Sequence, residues 1–208
     1  MKPPIGKLCV ITDTAIQHKY SHFEIAEMAI DGGADMIQFR DKVMSTGEMI
    51  NMAFQLRELC SRNEVTFIVN DRLDIALISG ADGVHLGIED IPIQDARKFL
   101  GISKIIGGTA HSLGEARKAE REGADYIGYG HIYPTQSKPR TTKPKGLEKL
   151  AEVASKIKVP LIAIGGISLE NAGDVMNAGA HGVAVIGSVL KSADPRAVVE
   201  KLRNIIYA

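Results

Sequence analysis

Residues 122–130 read EGADYIGYG. The same phrase returns as GGADMIQF at 32–39, SGADGVHLG at 79–87 and AGAHGVAVIG at 178–187. In each copy a glycine (Gly33, Gly80, Gly123, Gly179) closes a helix, because a residue without Cβ enters the left-handed region at little cost. Gly-Ala-(Asp/His) then turns the chain into a short apolar run, MIQF at 36–39, VHL at 84–86, YIGY at 126–129 and GVAVI at 182–186. Runs of this kind read as strands buried on both faces, as in a parallel sheet.

Four more such runs fall between the echoes, LCVIT at 8–12, FIV at 67–69, KIIG at 104–107 and LIAI at 161–164. The repeat is therefore of two β-α units. The segments between runs carry helical spacing: Met49, Met52, Ala53, Leu56, Leu59 and Cys60 share one face, as do Val198, Val199, Leu202, Ile205 and Ile206. Ser21 with Glu24, Ser45 with Glu48 and Ser112 with Glu115 have the S-x-x-E spacing of a capping box. Asp194 followed by Pro195 opens the last helix, since proline's missing N–H costs nothing at the first helical position. Eight β-α units within 208 residues leave no second domain over. The expected architecture is one α/β domain over 1–208, a (β/α)8 TIM barrel rather than an open doubly wound sheet.

With 45% apolar residues the chain can bury a large core, and 25 basic residues balance 25 acidic ones. Without a Lys/Arg block, nucleic acid and anionic membranes are not expected partners, so any anion site must be local. There is no apolar run of transmembrane length, and MKPPIGKLCVITD passes into the first strand without a signal-type stretch, which points to the cytoplasm. Cys9 and Cys60 lack metal-type spacing and are expected to be buried thiols. For assembly, symmetry statistics favour a homodimer.

On a barrel of this class the chemistry gathers at the C-terminal strand ends and the loops after them. The longest such connection, about 130–146, contains GHIYPTQSKPR and is long enough to act as a lid. Strand two ends QFRDK, directing Gln38, Arg40 and Lys42 to one side. Strand three contributes Asn70 and Asp71, strand four His85, Glu89 and Asp90, and strand five Thr109 and His111. Gly165 and Gly166 after strand seven, and Ile186, Gly187 and Ser188 after strand eight, have the glycine-rich character of a phosphate cradle. The alternative is two tight turns that merely need glycine. Arg40, Lys42 and Lys138, with Asn70, Thr109, Thr135 and Ser137, compose a second anion site. Asp71 and Asp90 beside those cations make sense if Mg2+ links carboxylates to a pyrophosphate; otherwise each caps the helix that follows it. His85 and His111 read as packed or satisfied histidines.

Taken together, QFRDK, FIVNDR, GADGVHLGIED, GGTAHS, GADYIGYGHIYPTQSK, AIGGI and GVAVIGS resemble the thiamin-phosphate synthase/TenI family of (β/α)8 proteins, from the first strand to the eighth. The resemblance implies small phosphorylated heterocyclic substrates: a hydroxymethylpyrimidine pyrophosphate joined to a hydroxyethylthiazole phosphate, through a carbocation-like pyrimidine, with release of pyrophosphate. It implies that Arg40, Lys42, Asn70, Thr109 and Lys138 hold the pyrophosphate and that Asp71 and Asp90 bind Mg2+. Gln38 and Thr135 would line the substrate pocket, with Gly166, Ile186 and Gly187 near the thiazole phosphate. Four positions depart from the synthase pattern: His131 for Pro, Ile88 for Gln, Thr109 for Ser and Gly187 for Ser. His131 matters most, because in the TenI branch a histidine in this context is the acid/base of a thiazole tautomerase. A third alternative is a barrel that binds thiamin precursors without turnover and acts through a partner.

Overall fold

A computed structural model describes residues 2–135 and 143–208. In chain order the elements are β1 (Leu8–Thr12), α1 (His22–Asp31), β2 (Met36–Phe39), α2 (Thr46–Arg62), β3 (Thr66–Asn70), α3 (Leu73–Ser79), β4 (Gly83–Leu86), α4 (Ile93–Leu100), β5 (Ile105–Ala110), α5 (Leu113–Arg121), β6 (Tyr126–Gly130), α6 (Gly146–Ala154), β7 (Leu161–Ile164), α7 (Ala172–Asn177), β8 (Gly182–Val185), α8 (Gly187–Leu190) and α9 (Pro195–Tyr207). The strands close into one parallel barrel in the order β1 to β8, with β8 pairing back onto β1. Every residue of β1, β2, β3, β6 and β8 is buried, as expected when helices cover the outside and side chains fill the inside.

The Gly-Ala-Asp echo has a physical cause at the N-terminal end of the barrel. The Asp35 carboxylate accepts the N–H of Leu8 at 2.9 Å, Asp82 that of Phe67 at 2.9 Å and Asp125 that of Ile106 at 2.8 Å. Each acid leading into an even strand thus clamps the start of the preceding odd strand. An arginine completes each clamp: Arg203 on Asp35, Arg57 on Asp82 and Arg97 on Asp125, at 3.1, 3.0 and 2.6 Å. In the fourth copy His181 reaches the Ile5 carbonyl at 3.0 Å instead. The repeat is a stability device, placed opposite the face where barrels do chemistry.

β5 runs to Ala110, beyond the four residues that composition suggests. Gly107 and Gly108 are strand residues that make room for neighbours. A Cβ on Gly107 would stand 2.2 Å from the Tyr126 ring, and one on Gly108 would stand 2.8 Å from Ile93. Ser21/Glu24 and Ser45/Glu48 form both halves of the capping box, whereas Glu115 accepts from the His111 N–H rather than that of Ser112. A short helix not foreseen from periodicity, α8, follows β8 directly. Cys9 and Cys60 are buried free thiols, each pushed up to about 12 by burial. Among the described residues, no helix is long and apolar enough to cross a membrane.

Candidate active site

At the C-terminal ends of the strands two cavities open side by side, of about 560 and 290 Å3. Ile164 and Ala184 line both and form the partition. Gln38, Arg40 and Lys42 from β2 and its loop line the larger cavity, with Asn70 and Asp71 after β3, Asp90 after β4 and Thr109 on β5. The smaller one is lined by Gly165, Gly166, Ile186, Gly187 and Ser188, together with Lys191. The two groups of residues expected at the strand ends thus line separate cavities. Thr135, grouped above with the first, lies in the second. Lys138 and Ser137 fall outside the described residues.

The cations of the larger cavity are held by carboxylates. Arg40 pairs with Asp13, which is 2% exposed, and the Arg40 Nε is buried with no partner among the described residues. An unsatisfied buried donor costs a few kcal/mol unless a ligand meets it. Lys42 is paired with Asp71. Asp71 takes a left-handed backbone, φ 61°, and its N–H donates to the His85 carbonyl at 2.8 Å. That turn aims the residue back over the barrel mouth. Neither Asp71 nor Asp90 caps a helix: Arg72 and Pro92 lead α3 and α4, without a side-chain capping bond. The Asp90 carboxylate instead accepts the Gly87 N–H at 2.6 Å. Burial pushes the Asp90 pKa up, and the neighbouring negative charge of Asp71 pushes it further. Two neighbouring acids, one raising the pKa of the other, suit a shared divalent cation. Among the described residues there is no group of three or more His, Cys, Asp or Glu side chains that could hold a metal. A metal bound here would complete its shell from substrate and water.

In the smaller cavity the backbone does most of the work. Gly165 and Gly166 have φ of 97° and 71°, and the Ser188 Oγ is buried without a partner among the described residues. A Cβ on Gly166 would come within 2.5 Å of the Pro134 carbonyl oxygen, so the turn closes only with glycine. Each cavity is thus lined by a residue with one buried polar atom that meets no partner among the described residues.

Residues 8–189 match the family described as thiamine monophosphate synthase. Over 208 residues the chain is 46% identical to the thiamine-phosphate synthase of Chlorobium phaeobacteroides, covering 98% of this chain and 100% of that one. The chain belongs to the thiamine monophosphate synthase family. Another relative, the thiamine-phosphate synthase of Chloroflexus aurantiacus, is 44% identical over 200 residues, 96% of this chain and 92% of its own. A solved thiamine phosphate pyrophosphorylase from Pyrococcus furiosus superposes with a TM-score of 0.89 at 41% identity, covering 97% of this chain and 95% of that one.

Seen as a family member, the chain shows what its strand ends concealed. His131 is 3% exposed, packs against Gly165 and stands outside the residues lining either cavity. Asp13 was legible by the same rule as Arg40, since it directly follows β1. His22, which carries no message in sequence, is fully buried: its Nδ1 meets the Thr12 hydroxyl at 2.8 Å and its Nε2 the Asp41 carboxylate at 2.9 Å. Burial lowers its pKa, so the ring is neutral near pH 7. Asp41 lies between Arg40 and Lys42, so this buried pair fixes the loop that carries both cations. His85 and His111 are satisfied, as expected, and yet both line the larger cavity.

Proposed function

We propose that this protein catalyses thiamin-phosphate synthesis, displacing pyrophosphate from hydroxymethylpyrimidine pyrophosphate by the ring nitrogen of hydroxyethylthiazole phosphate. The observation that carries this reading is the pair of adjoining cavities that share Ile164 and Ala184 in their walls. Two phosphorylated substrates need two anion sites, close enough for their rings to meet at the partition.

In the larger cavity Arg40 and Lys42 would hold the pyrophosphate, with Asn70 and Thr109 as neutral donors. Breaking the methylene C–O bond puts negative charge on the leaving group and positive charge on the methylene. Preplaced donors stabilise the first of these charges without a protein nucleophile. Asp71 and Asp90 would hold Mg2+, which would supply further charge stabilisation to the departing oxygens. Lys138 remains proposed for the same role. Gln38, 4% exposed deep in the cavity, would fix the pyrimidine ring, and the Gly166 and Gly187 turns with Thr135 would bind the thiazole phosphate. The tautomerase alternative gains nothing from the geometry, because His131 lines neither cavity. A homodimer in the cytosol is part of the proposal and is testable by mass in solution and by fractionation.

The deciding assay supplies purified protein with both substrates and Mg2+, and follows pyrophosphate. Release that needs all three components is expected. No release from folded protein that still binds thiazole phosphate would overturn the assignment.

A further inference from the structure

In the wall of the larger cavity a chain of polar contacts connects Thr109 with Gln38 through His85 and Tyr126. The His85 Nε2 is 2.9 Å from the Thr109 Oγ1, and its Nδ1 is 3.0 Å from the Tyr126 hydroxyl. Tyr126, 1% exposed, has the Gln38 side chain in reach of its hydroxyl. The rings of His85 and Tyr126 stack with centroids 5.4 Å apart. Both are seated against glycines: a Cβ on Gly128 would stand 2.8 Å from the His85 Cε1. Three layers of the barrel, β4, β5 and β6, thus give up side-chain volume or hydrogen-bonding capacity to keep this imidazole in place.

A neutral imidazole donates from one nitrogen and accepts at the other, so the chain has two polarities. In the first, Thr109 donates to the His85 Nε2, His85 Nδ1–H donates to Tyr126, and Tyr126 donates to the Gln38 carbonyl. Thr109 then offers the cavity only lone pairs, and Gln38 offers N–H. In the second, Gln38 N–H donates to Tyr126, Tyr126 O–H donates to the His85 Nδ1, and His85 Nε2–H donates to Thr109. The Thr109 proton is then available to the cavity, and so is the Gln38 carbonyl. Among the described residues nothing else accepts the Thr109 proton. Beside Arg40 and Lys42, where an anion would lie, a donor at Thr109 is favourable and a lone pair is repulsive.

We propose that His85 is a positioning residue that holds the second polarity, committing the Thr109 hydroxyl as a donor to the leaving-group oxygens and the Gln38 carbonyl as an acceptor for an amino group on the flat ring. The inference rests on the proposed function for the identity of those groups. It requires only an anion beside Thr109 for its core. Removal of His85 would leave Thr109 free to rotate, and so matters only while Thr109 is present.

A double-mutant cycle tests this directly, because coupled residues give non-additive losses. His85→Leu is expected to lower kcat by about tenfold or more with little change in KM, since the donor acts on charge that develops during bond breaking. In a Thr109→Val background the same change should lower kcat less than about twofold. His85→Gln, whose amide nitrogen can occupy the Nε2 position and donate, should restore most of the loss. Circular dichroism on each variant reports folding, and the Gln variant serves as the test if Leu does not fold. Calorimetric titration with inorganic pyrophosphate and Mg2+ reads the same coupling without turnover. An inactive wild type would overturn the proposed reaction while leaving this cycle measurable. Additive losses in binding or turnover, or equal losses for Gln and Leu, would overturn the role of His85.

Discussion

Asp41 is where loop position, stability and pH meet. Its carboxylate accepts the N–H of Met44 at 2.6 Å and of Val43 at 2.7 Å, and faces the His22 Nε2 at 2.9 Å. Burial alone would raise its pKa. The Met44 N–H, the His22 ring and the Val43 N–H outweigh burial and hold it down, from 3.8 to about 2. At about 1.4 kcal/mol for each pH unit, preferential stabilisation of the ionised folded form is worth about 2 kcal/mol. The folded pKa is depressed, so this stability is fully present above the unfolded value of 3.8 and is lost as pH falls toward 2. Asp41→Asn should therefore be less stable by about 2 kcal/mol at pH 6 in urea unfolding, and the gap to wild type should narrow steadily between pH 4 and pH 2. Because the residue lies between Arg40 and Lys42, the variant should also bind pyrophosphate more weakly. A gap that stays constant down to pH 2 would refute the assignment of this stability to the Asp41 charge.

Asp90→Asn should lower turnover by about a hundredfold or more at saturating substrate and raise the Mg2+ concentration needed for half-maximal rate, both read from pyrophosphate release. Gly166→Ala, which forces a side chain into a backbone at φ 71° and against Pro134, should weaken thiazole-phosphate binding by about tenfold in calorimetry while leaving inorganic pyrophosphate affinity unchanged. Lys138→Ala should cost far more turnover of a pyrophosphate substrate than His131→Ala; the reverse order would sink the synthase assignment.

The barrel was legible because its signals are local. A glycine, an acid and a β-branched run lie within eight residues, and the strand ends place their side chains by simple alternation. Misreadings arose where meaning depends on a distant neighbour. Why strand five carries Gly107 and Gly108 stays hidden until Tyr126 and Ile93 are seen occupying the space of their missing side chains. His22 is silent because Asp41, its partner, follows two elements of structure later. Thr135 follows a strand end in a long connection, and nothing in its sequence neighbours tells that it lines the smaller cavity rather than the larger. His131 is the converse case: the chemistry of an imidazole suggests a catalyst, while the side chain is buried against Gly165 and lines neither cavity.

The charge arrangement of the larger cavity yields a last prediction. Arg40 is neutralised by Asp13 and Lys42 by Asp71. That leaves Asp90 and Glu89, which also line the cavity, without a salt-bridge partner of their own among the described residues. A pyrophosphate entering alone would meet negative charge. Two like charges about 5 Å apart repel by about 3 kcal/mol at an effective dielectric constant of about 20, roughly a hundredfold in affinity. Inorganic pyrophosphate should accordingly bind at least about a hundredfold more tightly with Mg2+ than in the presence of a chelator. Asp90→Asn should shrink that ratio by improving the metal-free affinity as well as by weakening the metal-dependent one. If Arg40 and Lys42 instead leave their carboxylates to embrace the ligand, the metal-free affinity would be high already. Equal binding with and without metal would show that the ion pairs open on ligand entry and that the carboxylates serve to hold the cations in reserve.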